Sequence, residues 1–143
     1  MLVEDLRETR LGAAEESGTE LATNGRSATD EVLDALNQLE SVLVENAESE
    51  RLLLQRIAEV RLARESGLEW KSILSDEDEP GTVQLVSTIL RRQSDASGYF
   101  RRSLVVALRA EGQSIPSIAH LFGVTHQRVS NLLRRVAQGS SDN

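Results

Sequence analysis

The sequence predicts an all-α fold, in which a long N-terminal helix of coiled-coil character leads into a small helical domain. Three observations point there. Apolar residues recur at alternating four- and three-residue steps from Val32 to Val60. Two segments between Thr82 and Glu111 each gather their apolar residues on one helical face. Ile115 to Arg134 sets two short apolar patterns either side of Gly123. At 143 residues, one compact domain with an appendage is the expected size.

Residues 1–27 read as a disordered tail. Leu2, Val3 and Leu6 suffice for one amphipathic turn, but EESGTELATNGRSATD is small and polar, with little to bury. Ser27 followed by Asp30 resembles a capping box with a shortened acid, and the expected helix runs from Thr29 to Arg64 within a segment of 28–66. Its heptad seam is Val32, Leu36, Leu39, Leu43, Asn46, Glu50, Leu53, Ile57, Val60 and Arg64. Such a stripe must be covered. A homodimeric coiled coil through Val32, Leu36, Leu39, Leu43, Asn46, Leu53, Ile57 and Val60 covers it, and so does packing against the chain's own C-terminal helices. Asn46 can set register in a coiled coil, whereas Glu50 is costly at a seam unless paired. Folding back at ENAESER into two shorter helices is the alternative, but neither Gly nor Pro occurs there.

Residues 67–138 read as the helical domain, with 139–143 a disordered tail. Gly67 ends the long helix, and Leu68 to Leu74 forms a short one with Trp70 as a core anchor. RESGLEWKSIL echoes RAEGQSIPSIAHLF, with a basic residue, a Gly and apolar positions in step. The first of these could be the remnant first half of a second helix-turn-helix, but the SDEDEPG that follows it cannot be a reading helix. Its Pro and Gly mark a loop, and its acids lack the alternating spacing of a calcium site. A helix is expected from Thr82 to Gln93, with Val83, Val86, Ile89 and Leu90 on one face. Another is expected from Asp95 to Glu111, with Phe100, Leu104, Val105 and Leu108.

The segment 115–134 is the most specific. Two helices that cross closely around a short turn need a small residue in the first and Gly in the turn, and Ala119 and Gly123 stand there. Ile118, Phe122, Val124, Val129 and Leu132 fall on the inner faces, and Thr125 sits where an N-cap belongs. The second helix then exposes His126, Gln127, Arg128, Ser130, Asn131, Arg134 and Arg135, and it contains no acid. These are side chains that bond base edges and phosphates. The geometry is that of a DNA-binding helix-turn-helix. His126, Gln127, Arg128 and Asn131 are the candidates for base edges. Arg101, Arg102, Ser114, Thr125, Ser130, Arg134 and Arg135 are the candidates for phosphate, and Arg109 lies on the same helix as the first two.

Phe100 to Val136, containing LVVALRAEGQSIPSIAHLFGVTHQRVSNLLRR, resembles region 4 of bacterial sigma factors and, more loosely, the DNA-binding domains of resolvases and invertases. Gly112 stands where those families close the preceding helix. The resemblance covers about a quarter of the chain. It implies a major-groove reading helix from about His126 to Ala137, with Gln127, Arg128 and Asn131 at the bases. It does not imply a sigma factor, since no polymerase-binding or promoter-melting region is legible.

Charge is unevenly placed. From residue 90 onward eight Arg face three acids, a net of +5, while residues 1–89 carry eight basic and twenty acidic residues, a net of −12. A basic C-terminal third suits phosphate, and the acidic remainder suits solvent or protein. With no Cys there is neither a disulfide nor a thiolate metal site. His120 and His126 have ordinary places in the motif, so neither a metal nor any other cofactor is expected. No phosphate loop with Lys and no nucleophile with matched base and acid occurs, so no catalytic residue is assigned and an enzyme is not expected. The acidic MLVEDLRETR does not read as a signal peptide, and no apolar run reaches membrane-spanning length. The expectation is a cytoplasmic protein without a membrane partner. Its leading function is sequence-specific binding of double-stranded DNA by a homodimer, as a bacterial transcriptional regulator. The alternatives are an interaction module of sigma-like fold that binds RNA polymerase or another regulator, and an accessory protein of a plasmid, phage or recombination system.

Overall fold

A computed structural model describes the backbone of residues 5–139 and the side chains of residues 30–139. It is all-helical among those residues: α1 (Asp5–Glu65), α2 (Trp70–Ser75), α3 (Thr82–Ala110), α4 (Ile115–Phe122) and α5 (His126–Gly139). The backbone of α1 begins upstream of the expected Thr29. The side chains of residues 1–29, and with them the expected capping box and the basis for a tail over 1–27, lie outside the described residues, as do 140–143.

Three helices stop by one device. Gly67, Gly112 and Gly123 take φ of +93°, +85° and +63°, a region that L side chains enter only at a cost. At each, two backbone bonds close the helix end. Gly67 and Leu68 donate to Arg64 and Ala63, Gly112 and Gln113 to Arg109 and Leu108, and Gly123 and Val124 to His120 and Ala119. These are Schellman caps, which satisfy carbonyls that would otherwise be orphaned. The start of α3 is capped as well. Glu77 accepts from the Thr82 amide at 2.9 Å and from the Thr82 hydroxyl. Gln84 reaches back to the Gly81 amide at 3.2 Å. The acidic loop, Asp76–Glu79, therefore has a local role in starting α3, where a carboxylate also meets the positive end of the helix dipole.

The chain divides into two compact units, one of Ala35–Phe100 and one that takes in Arg101 onward with the start of α1. In the first, α1 and α3 run antiparallel. Asn46 Nδ2 donates to the Ile89 carbonyl at 3.1 Å, Glu45 meets Arg92 at 3.7 Å, and Arg56 meets Asp78 at 3.6 Å, so residue numbers rise along one side of the pair as they fall along the other. The inner row of α1 is Ala35 and Asn46, both buried, with Val42, Ser49, Leu53, Arg56 and Val60 half-buried. Ile73, Leu85, Ile89 and Ala96 are the other buried apolar residues of this unit.

Three features differ from expectation. The two helices expected over 82–111 are one, α3. Ser94 and Gly98 are poor helix formers, but neither breaks a helix as Pro would, and Ala96 and Ser103 on either side of Gly98 are buried. The face expected to be buried, Val83, Val86, Ile89 and Leu90, is not the inner one. Only Ile89 of the four is buried, beside Leu85. Trp70 is half-exposed instead of anchoring a core, with its ring centroid 5.2 Å from the Arg64 guanidinium carbon in a cation–π contact. The short helix also begins at Trp70, because Leu68 belongs to the Gly67 cap and Glu69 is extended.

Gly123→Ala should lower stability by about 1–2 kcal/mol through backbone strain alone, since a Cβ there meets nothing within 4 Å. Ala119→Val, at a site 2% exposed, should cost about 1–3 kcal/mol by overpacking. Urea unfolding measures both, and unchanged midpoints would contradict the turn and the crossing respectively.

Candidate nucleic-acid interface

The interface is built on a small core. Val105 of α3, Ile118 and Ala119 of α4 and Val129 of α5 are buried together, and Leu108, Ile115, Phe122, Val124, Leu132 and Leu133 pack against them. All five apolar positions expected for the motif belong to this cluster. Ala119 has no side chain beyond Cβ, which lets α4 and α5 approach, and Gly123 turns the chain between them.

Both helices of the pair are capped by hydroxyls. Ser114 Oγ accepts the Ser117 amide at 3.2 Å, and Thr125 Oγ1 accepts the Arg128 amide at 3.3 Å. Each hydroxyl keeps its own proton to donate outward. Val129 fixes the inner face of α5. At 100° per residue the opposite surface carries two rows spaced i, i+3, i+7: Gln127, Ser130 and Arg134, and Arg128, Asn131 and Arg135. All are exposed except Ser130, which is half-buried, and His126 is exposed at the helix start. The first two turns of α5 thus present amide, guanidinium and hydroxyl groups with no carboxylate among them.

Charge is divided along the chain, and residues 1–34, with three basic and nine acidic residues, carry a net of −6. Residues 101–143 carry six Arg and two acids, a net of +4, whereas residues 35–100 carry seven basic and twelve acidic residues, a net of −5. All four ion pairs among the described residues lie in the acidic unit. Arg101, Arg102, Arg128, Arg134 and Arg135 take part in none of them. Arg101 is exposed and Arg102 half-buried, both on the C-terminal half of α3. Arg109, expected beside them, is engaged locally, donating to the Gln113 carbonyl at 2.9 Å across the Gly112 cap. That bond is not legible from spacing, because it depends on the path the chain takes after Gly112.

The expected dimerisation residues are divided. Asn46 is buried and bonded to Ile89 of its own chain, and Val32, Leu39, Leu53 and Val60 are half-buried. Leu36, Leu43 and Ile57 remain exposed. No helix among the described residues is long and apolar enough to cross a membrane. The chain matches no family model, no curated protein and no solved structure in comparisons with each.

Thr125→Ala removes the acceptor for the Arg128 amide and should cost about 1 kcal/mol, felt first in the opening turn of α5. Hydrogen exchange at the amides of Arg128 and Val129 should accelerate roughly fivefold for that loss. Exchange at the parent rate would mean that the hydroxyl does not hold the helix start.

Proposed function

We propose that the chain is a sequence-specific binder of double-stranded DNA, of the bacterial transcriptional-regulator type, acting as a homodimer through a helix-turn-helix made by α4 and α5. The observation that carries this is α5 itself. One face is locked into the core by Val129, and the opposite face offers Gln127, Arg128, Asn131, Arg134 and Arg135 in two rows, with no acid and no ion pair among the described residues. The pattern suits a helix in a major groove, where Arg pairs with guanine O6 and N7 and Asn or Gln with adenine N6 and N7. His126, Gln127, Arg128 and Asn131 have the base-edge role at the N-terminal half of the helix. Arg101, Arg102, Ser114, Thr125, Ser130, Arg134 and Arg135 have the phosphate role, supported by the net of +4 over 101–143. A two-fold dimer would place two such helices on an inverted repeat, with half-site centres about 34–36 Å apart or a multiple of that.

Binding sites selected from a random duplex pool test the reading. Arg128→Ala or Asn131→Ala should each lose about 1–3 kcal/mol on the selected site and relax preference at one base position. Arg101→Ala, Arg102→Ala and Arg135→Ala should weaken binding to all sequences alike, and each should flatten the slope of log K against log salt by about 0.9. A pool that yields no preferred sequence, or base-edge mutants with the parent's preference, would refute the assignment.

A further inference from the structure

The two units repeat one pattern. Gly67 and Gly112 close α1 and α3 with the same pair of backbone bonds. Arg64 donates to the Leu68 carbonyl at 3.0 Å just as Arg109 donates to the Gln113 carbonyl at 2.9 Å. Six residues beyond each glycine stands a buried isoleucine, Ile73 in α2 and Ile118 in α4. The next helix starts after Gly81 in one unit and after Thr125 in the other, and four residues on from each stands its buried anchor, Leu85 or Val129. The N-terminal half of α3 is therefore the counterpart of α5. Where α5 shows Gln127, Ser130 and Arg134, α3 shows Val83, Val86 and Leu90, which are 64%, 39% and 64% exposed. The helix start is flanked by Asp76, Glu77, Asp78 and Glu79. Such a surface repels phosphate and suits apolar burial.

The same flank continues onto α1. Val86 and Leu90 each follow a buried residue by one, as Leu36 follows Ala35. Leu43 and Leu54 follow half-buried Val42 and Leu53. One residue is a 100° turn in a fixed sense, and in an antiparallel pair that turn brings both helices' next residues to the same side. Leu36, Leu43 and Leu54 thus share a flank with Val83, Val86 and Leu90. At their exposures these six leave on the order of 500 Å² of apolar surface, about the apolar share of the ~800 Å² that each partner brings to a standard interface.

We infer that this flank of the 35–100 unit is where a second copy of the chain docks, so that two α1–α3 pairs close into a four-helix bundle about a two-fold axis. An isologous contact needs one self-complementary patch, which a two-helix apolar flank supplies. The inference rests on the homodimeric reading above and moves its interface from a seam on α1 alone to a face shared with α3. The repeated pattern then has divided roles: the unit with Arg on its second helix meets DNA, and the unit with Val and Leu there meets its own copy.

Sedimentation of the full chain without DNA tests this independently of DNA binding. The parent should be a dimer at about 10 μM, and Val86→Glu with Leu90→Glu should weaken association roughly a hundredfold or more while helicity by circular dichroism stays at the parent level. Leu62→Glu, at a position 67% exposed on α1 but off the flank, should remain a dimer. A monomeric parent, or a double mutant that still dimerises, overturns the inference, and in the first case the flank belongs to a different protein. A dimeric parent and monomeric double mutant that both ignore DNA would leave the interface standing and remove the DNA reading instead.

Discussion

Three of the described helices, α1, α3 and α4, end where a glycine enters the left-handed region, and the positions of the elements that follow depend on those endings. A side chain at Gly67, Gly112 or Gly123 would hold φ positive at a cost of about 1–2 kcal/mol, a large fraction of the roughly 5–15 kcal/mol by which a domain is stable. With glycine in place, each cap satisfies two carbonyls and aims the next helix back across the last. The unit that carries α4 and α5 depends on this most. Val129 is the one residue of α5 in the buried cluster with Val105, Ile118 and Ala119 among the described residues, so a shift of α5 by one residue would trade Val129 for a polar neighbour and leave little to hold the helix.

The acidic unit shows a different constraint. α1 is apolar on more than one face, and burying one row does not dispose of the rest. Asn46 lies in the buried row, where its Nδ2 bonds the Ile89 carbonyl and its Oδ1 is buried without a hydrogen-bond partner among the described residues. A buried amide with one unsatisfied oxygen is costly, and it narrows the registers that α1 and α3 can adopt. Beside that row stand Leu36, Leu43 and Leu54, which the monomer leaves in water. Stability here and the proposed association thus draw on adjacent stripes of one helix.

Legibility from sequence follows the range of the interactions involved. The α4–α5 pair is readable almost to the residue because its signals are local: a small residue, a glycine, a hydroxyl cap and short apolar periods all fall within about twenty positions. The caps at Gly67 and Gly112 are readable for the same reason. The seam on α1 is readable as a period but not as a partner, since Leu39, Asn46, Leu53 and Val60 serve equally well toward α3 or toward another copy. Periodicity alone selects the wrong inner face of α3, because Val83, Val86 and Leu90 are as apolar as Leu85 and Ile89 and only tertiary packing chooses between them. Residue type alone puts Trp70 in a core, whereas its place after the Gly67 cap sets it beside Arg64 at the surface. The continuity of α3 is hidden for a similar reason. Ser94 and Gly98 weaken a helix locally, while burial of the apolar Ala96, Val105 and Ala107 along α3 offsets the loss.

In the proposed reading, α5 meets DNA through the face opposite Val129. Amide chemical shifts of the isotope-labelled chain, recorded while a duplex carrying its selected site is added, test it most directly. Saturable shifts should be largest from His126 to Asn131, with smaller ones at Arg101, Arg102 and Arg135, and the amides of Asp76 to Glu79 should stay in place. Shifts centred on residues 35–100, or none that saturate, would contradict the account.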